Sequence, residues 1–236
     1  MATVPKYALI EEFIKTNIQN GTFKKNEPIY TERKLCEVFK VTRMTVRQAI
    51  NNLVSEGYLY RQKGSGTYVS DGKVTKPSSG LTSFTEDILS SGMTPRSKVL
   101  SLEIIEATER IAAKLDIPIG ESVYQMERIR FADDEAWGLE TVFRPVHFTP
   151  GIRKEDLAGS MFEDLEKRGL KIAYSDQTIE AVLAYKTTAE HLNIAEDEPI
   201  LLIKSTTYLD NDVPLQYTKS FYRGDRYKFS YRAIRR

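Results

Sequence analysis

Apolar residues recur at helical spacing through residues 5–20, where Tyr7, Ile10, Phe13, Ile14 and Ile18 share a face. Asn20-Gly21 is a stop signal, because glycine accepts the left-handed cap. After a polar stretch to Pro28, Thr31 reads as an N-cap before Leu35, Val38 and Phe39. Thr42 reads as a second, before Val46, Ile50, Leu53 and Val54, and Gly57 closes that helix. Two short strands are predicted over 58–62 and 67–70, with Lys63-Gly64-Ser65-Gly66 at the hairpin tip. Residues 71–80 are small and polar, with proline and glycine, which is linker composition. The expected organisation is a first domain over 1–72, a linker over 73–80 and a second domain over 81–236.

The second part reads as α+β. Helices are predicted over 108–115, 161–168 and 188–192. Strands are predicted over 123–132, 137–145, 172–184, 200–209, 214–222 and 227–231. One motif occurs twice. Leu115-Asp116-Ile117, Glu121 and Asp133-Asp134-Glu135 are matched in order by Leu192-Asn193-Ile194, Glu198 and Asp210-Asn211-Asp212. Each copy is helix, strand, acidic turn, strand. Two such units sharing one antiparallel sheet form a pseudo-symmetric domain, and a site between them draws on both hairpins.

Charge changes this picture more than composition does. The net charge is only +1, but residues 1–76 hold 13 basic and 7 acidic residues, so +6, while the remainder holds 21 and 26, so −5. A basic front on an acidic body suggests a nucleic-acid module with a different partner behind it. No apolar run approaches the roughly 18 residues of a membrane helix. The start, Met1 to Lys6, has no apolar segment of a secretory signal, and the single cysteine, Cys36, builds no disulfide framework. A cytoplasmic location is expected.

The two helices around Lys40-Val41-Thr42 fit a helix-turn-helix whose second helix carries Arg43, Thr45, Arg47 and Gln48. Recognition helices present such side chains to base edges and phosphates in the major groove. Arg43 and Arg47, four apart, share an exposed face if Val46 and Ile50 point inward. The tip with Lys63, Gly64 and Gly66 suits a wing approaching the DNA backbone, with Lys63 on phosphate. The stretches Thr31-Glu32-Arg33-Lys34-Leu35, Val41 to Ile50, Leu53 to Gly57 and Lys63 to Val69 resemble, in order, the winged-helix domain of GntR-family bacterial regulators. The resemblance implies that Arg33, Arg43 and Arg47 contact operator DNA and that Gly64 sits at the minor groove. Ser65 departs from the arginine common between the wing glycines of that family.

Arg128 and Arg130 lie two apart, so they project from the same face of a strand, while Ile129 and Phe131 face the other way. Two adjacent guanidiniums repel unless an anion lies between them, and arginine binds phosphate and carboxylate bidentately. The bland alternative is a solvated outer sheet face. Leu81 to Asp87 and Gly159-Ser160 place hydroxyls at helix starts, where free N–H groups favour an anion, although each is also a plain N-cap. Glu140 sits in an otherwise apolar strand, as an acceptor for sugar hydroxyls or as a rim ion-pair member.

Gly80 to Asp87, Arg128-Ile129-Arg130, Leu202 to Leu209 and Lys219 to Tyr227 look like the effector domain of the HutC-type GntR subfamily, the UTRA domain, whose fold is similar to chorismate lyase. That resemblance implies phosphate contacts from Ser83, Phe84, Thr85, Arg128, Arg130 and Ser160, and sugar contacts from Glu140 and Tyr222. It implies a homodimer on double-stranded operator DNA, released by a phosphorylated sugar or sugar conjugate, with no cofactor. In the branch of the subfamily that answers amino-sugar phosphates, glutamate stands at the position of Gln216 and tyrosine at that of Phe162. Two other readings remain open here: a DNA-binding regulator whose rear domain only dimerises, and a lyase-like enzyme. Against the enzyme, His147 and His191 lie in no catalytic motif, and no metal cluster, phosphate-binding loop or triad is visible.

Overall fold

The computed structural model describes residues 5–62, 65–77 and 80–230. The chain divides into two compact units, Met1–Lys73 with Leu89–Met93, and Val74–Ile88 with Thr94–Arg236.

In the first unit, α1 (Lys6–Gln19), α2 (Glu32–Phe39) and α3 (Arg43–Ser55) precede a hairpin of β1 (Leu59–Gln62) and β2 (Gly66–Val69). The Thr31 hydroxyl accepts from the Lys34 N–H at 3.2 Å and that of Thr42 from the Thr45 N–H at 3.5 Å, so both threonines are N-caps. Between them Lys40 takes a left-handed conformation, φ 50°, which ends α2 and turns the chain sharply into α3. Ile10, Ile14, Leu35, Val46, Ile50 and Leu53 form the core with Leu59 and Val69. Burying that stripe aims the opposite side of α3 outward.

The second unit is built on an antiparallel sheet of β4 (Pro95–Glu106), β5 (Ser122–Ala132), β6 (Glu135–Pro145), β7 (Ile172–Leu183), β8 (Pro199–Leu209) and β9 (Pro214–Arg223), in the order β4-β5-β6-β9-β8-β7. The repeat seen in sequence is the repeat in space. β4, α5 (Glu109–Leu115), β5 and β6 mirror β7, α7 (Lys186–Leu192), β8 and β9, and β6 pairs with β9 at the centre. Asp116 and Asn193 end the two helices in matching left-handed conformations, φ 51° and 52°. Along each strand alternate residues go to opposite faces. Val123, Ile129, Leu139, Phe143, Tyr217 and Phe221 face α5 and α7. Arg128, Arg130, Glu140, Gln216, Ser220 and Tyr222 face the other way, as do α4 (Phe84–Ser90) and α6 (Met161–Lys167).

Two segments differ from expectation. Within the expected linker, Val74–Pro77 forms β3, paired in parallel with β10 (Tyr227–Ser230). The Val74 N–H donates to the Arg226 carbonyl at 2.8 Å, and Val74 is buried. Its partner lies about 150 residues away in the chain, so no local pattern announces it. β4 was also not anticipated. As an edge strand it keeps many half-exposed positions and lacks a clean alternation.

Candidate effector site and DNA-binding surface

The even-numbered face of β5, β6 and β9 floors an open cleft lined by polar and apolar side chains. β7 and β8 add Gln177, Ile203, Ser205 and Thr207, so both repeats contribute. Ser83, Phe84, Thr85, Arg128, Arg130, Glu140, Gln216 and Tyr222 all line it. Ser160 does not. Its hydroxyl accepts from the Glu163 N–H and caps α6, while the next residues, Met161 and Phe162, reach the cleft.

The two arginines are not on a solvated sheet face, since Arg128 is 4% and Arg130 2% exposed. Arg128 is held by protein through two of its three nitrogens. Its Nε donates to Glu140 Oε1 at 2.6 Å and its Nη1 to the Leu157 and Gly159 carbonyls. Burial pushes the Glu140 carboxyl up, but the Arg128 and Arg130 guanidiniums outweigh it and hold the group below the usual carboxylate range. Among the described residues Arg130 has neutral partners: Ser97 Oγ at 2.9 Å, Thr85 Oγ1 at 3.0 Å and the Phe84 ring at 4.7 Å. Its Nε has no partner among the described residues. Burial, then the neighbouring Arg128, push its pKa down to about 10. A cation in that state is stabilised by an arriving anion. The start of α4 is not free in the same way, because the Ser83 N–H donates to its own Glu86 carboxylate at 2.6 Å.

Several residues of the site and its walls were not found by sequence reasoning, Lys76, Arg144 and Gly138 among them. Lys76, in β3, lines the cleft, and its Nζ donates to the Thr82 carbonyl at 3.0 Å and lies 3.6 Å from Asp87. Asp87 is 3% exposed and also accepts from Thr82 Oγ1 and the Tyr227 hydroxyl. This network ties β3, α4 and β10 to one wall of the cleft. Arg144, at the far end of β6, is completely buried and donates to Gln216 Oε1 at 2.7 Å. Gly138 stands beside the Tyr222 ring, which stacks between Phe84 and Tyr227. A Cβ at Gly138 would lie 2.7 Å from Tyr222 Cε1. Gly138→Ala is therefore expected to displace that ring and lower stability by about 1–3 kcal/mol, read as a drop in Tm without ligand. A glycine inside a strand was the available signal of close approach.

On α3, Arg43, Arg47 and Gln48 are exposed and Thr45 is half-buried, its hydroxyl 3.1 Å from that of Thr42. Arg33 on α2 is exposed and 3.8 Å from Glu37. Arg47 Nε is shared by both oxygens of Glu32, at 3.2 and 3.1 Å. Met44 is also exposed, at 81%. Gly66 has φ 138°, a conformation that L side chains rarely adopt, and Ser65 bonds the Tyr68 hydroxyl. Lys63 and Gly64 lie outside the described residues. Among the described residues no group of His, Cys, Asp and Glu could hold a metal, and no helix is long and apolar enough to cross a membrane.

A winged helix-turn-helix ahead of a two-repeat sheet with a polar cleft is the architecture of a transcription regulator. Residues 6–69 match the family described as bacterial regulatory proteins, gntR family, and residues 90–228 match the UTRA domain. The chain belongs to the GntR family, in its HutC-type branch. It is 40% identical to the HTH-type transcriptional repressor NagR of Bacillus subtilis (strain 168), over 96% of this chain and 93% of that protein. It is 30% identical to the mannosyl-D-glycerate transport/metabolism system repressor MngR of Escherichia coli (strain K12), over 100% and 99%. The crystal structure of PhnF from Mycobacterium smegmatis superposes with a TM-score of 0.68 at 28% identity, covering 99% of this chain and 100% of that one. The chain is thus a DNA-binding transcription regulator and not an enzyme.

Proposed function

We propose that this regulator is a homodimeric repressor, released from its operator by a phosphorylated sugar or sugar conjugate. The observation that carries the reading is the buried pair Arg128 and Arg130, of which, among the described residues, only Arg128 has a carboxylate partner. The phosphate sits on Arg130 and Arg128 with Ser83, Phe84 and Thr85, and Lys76 adds a third cation nearby. Glu140 Oε2 bonds no protein group among the described residues and takes a sugar hydroxyl, beside Tyr222. Gln216 faces the distal part of the ligand. Ser160 contributes only by holding α6 in place. The names of two relatives favour a sugar-related effector: a repressor of the mannosyl-D-glycerate transport/metabolism system, and a probable repressor of a fructoselysine utilization operon 28% identical to this chain.

At the other end, a two-fold dimer presents two α3 helices to successive major grooves of a pseudo-palindromic site. Arg33, Arg43, Thr45, Arg47 and Gln48 read and clamp the half-site, and the wing with Lys63, Gly64 and Gly66 follows the backbone. β3 starts directly after the winged unit in the chain, so a ligand that moves Lys76 or the Thr82–Asp87 segment acts on the strand leading to the DNA-binding half. The ligand must bind the DNA-incompetent state better by a few kcal/mol. Arg47 has to leave Glu32 to reach DNA, and an exposed pair of this kind is worth about 0.2–1 kcal/mol. Glu32→Gln is therefore expected to tighten operator binding up to about fivefold in a mobility-shift titration.

The deciding experiment is a thermal-shift panel of sugar phosphates beside their unphosphorylated parents. A ligand at about 100 times its Kd stabilises the protein by roughly 2.7 kcal/mol, a shift of several degrees. A phosphosugar that stabilises while its parent does not supports the anion site. A panel in which no phosphate compound shifts the melting refutes it and leaves the cleft to another ligand class.

A further inference from the structure

We propose that the effector carries a second acidic group, a carboxylate, at the end of the cleft formed by Gln216 and Met161, where Arg144 supplies the countercharge. The inference rests on the phosphosugar reading above and specifies the other end of that ligand.

Arg144 is 0% exposed, the largest fully buried side chain among the described residues. An arginine does not lose its proton in a protein, so this is a buried charge. Among the described residues its protein acceptors are neutral, Gln216 Oε1 at 2.7 Å and the Met161 sulfur. Its Nε and Nη1 have no partner among the described residues. The carboxylates that act on it are already taken, Asp164 by Arg168 at 2.8 Å and Glu140 by Arg128 at 2.6 Å. Arg128 and Arg168 oppose its charge. An uncompensated buried guanidinium costs stability, and a fold retains one at a ligand site more readily than in a core.

Gln216 converts this charge into a signal the cleft can use. With its Oε1 held by Arg144, the amide must present its NH2 elsewhere. Nε2 donates to no protein group among the described residues, and Gln216 lines the cleft. The ligand atom opposite it is therefore an acceptor, and the cation behind makes that acceptor an anion. Thr207 pairs with Gln216 across β8 and β9, and both Thr207 and Thr218 line the same end. One guanidinium, one amide and hydroxyls suit a monoanionic carboxylate, whereas Lys76, Arg128 and Arg130 gather at the phosphate end. Along β9 the Gln216 row lies four residues from Ser220, which pairs with Glu140, itself opposite Arg128. At ~3.3 Å per residue that is roughly 13 Å, a span filled by a phosphosugar with a pendant or terminal acid.

The test compares matched phosphates on the full-length protein: sorbitol 6-phosphate against 6-phosphogluconate, glucose 1-phosphate against glucuronic acid 1-phosphate, and N-acetylglucosamine 6-phosphate against N-acetylmuramic acid 6-phosphate. The acid member of at least one pair is expected to raise Tm more than its neutral partner. Arg144→Met should erase that preference, weakening the acid at least ~10-fold and the neutral member little. Without ligand, Arg144→Met should melt at or above wild type. Gln216→Glu should also melt higher, because it brings a carboxylate to Arg144, and should lose the acid preference. A ligand-free Arg144→Met protein melting well below wild type would make Arg144 a structural cation and overturn the proposal. Phosphates that bind without any acid preference sink this inference alone. A panel with no phosphate response removes the phosphosugar reading and this inference with it.

Discussion

Arg128→Met is expected to lower stability by about 3–5 kcal/mol, because it leaves the Glu140 carboxylate buried without its partner. The double change Arg128→Met with Glu140→Met should recover most of that loss, since an apolar pair of similar volume replaces the ion pair. The bond at stake is the 2.6 Å contact between Nε and Oε1, with both side chains nearly inaccessible. The dependence on pH separates this cause from lost packing. In the wild type Glu140 is held below its ordinary range. It therefore contributes stability above its unfolded pKa of about 4, and loses it as pH falls through the folded value. In Arg128→Met the same carboxyl loses its main counterion, so burial raises its pKa and acidification neutralises it. Urea melts at pH 7 and pH 4 should show the wild type weakening on acidification and the variant closing the gap. A variant that stays below the wild type by the same margin at both pH values would mean that packing, not charge, is lost.

How far the sequence discloses this molecule depends on whether the relevant contact is local. The caps at Thr31 and Thr42 were legible because an N-cap needs only a hydroxyl and the three residues after it. The cleft arginines were legible because alternation fixes their common face, but spacing alone does not distinguish a buried face from a solvated one. The burial follows from α4 and α6, which lie on that side of the sheet. The repeat was legible from its acidic turns, and through it the two-sided cleft. β3 was not, since a strand of Val74–Pro77 exists only because β10 comes back to it. Lys76 was missed with it. Arg144 was passed over because a lone arginine at the end of an apolar strand looks like an exposed terminus, and its burial depends on α6 and β9 closing over it. Ser160 marks the limit of carrying a role across by resemblance, for here its hydroxyl serves α6 and Met161 and Phe162 reach the ligand space instead.

Arg130→Met should produce a repressor that folds and binds its operator but no longer releases it. Among the described residues Arg130 pairs with no carboxylate, and burial with the like charge of Arg128 has pushed it down to about 10, so the fold gains little from keeping it charged. A methionine of comparable length keeps the contact with the Phe84 ring, so ligand-free Tm should stay within a few degrees of wild type or rise. Binding should suffer far more. A hydrogen bond to a charged group contributes about 1.5–3 kcal/mol, or roughly 10- to 150-fold in affinity for one contact. The ligand releases DNA only through its excess affinity for the DNA-incompetent state, so a loss of that size raises the release midpoint by the same factor, and release is lost at the concentrations that suffice for wild type. Operator titrations with and without effector should give unchanged DNA affinity in its absence and no release in its presence. Weakened DNA binding without effector would mean that Arg130 supports the operator-bound state itself, and full release at wild-type concentrations would remove Arg130 from the phosphate site.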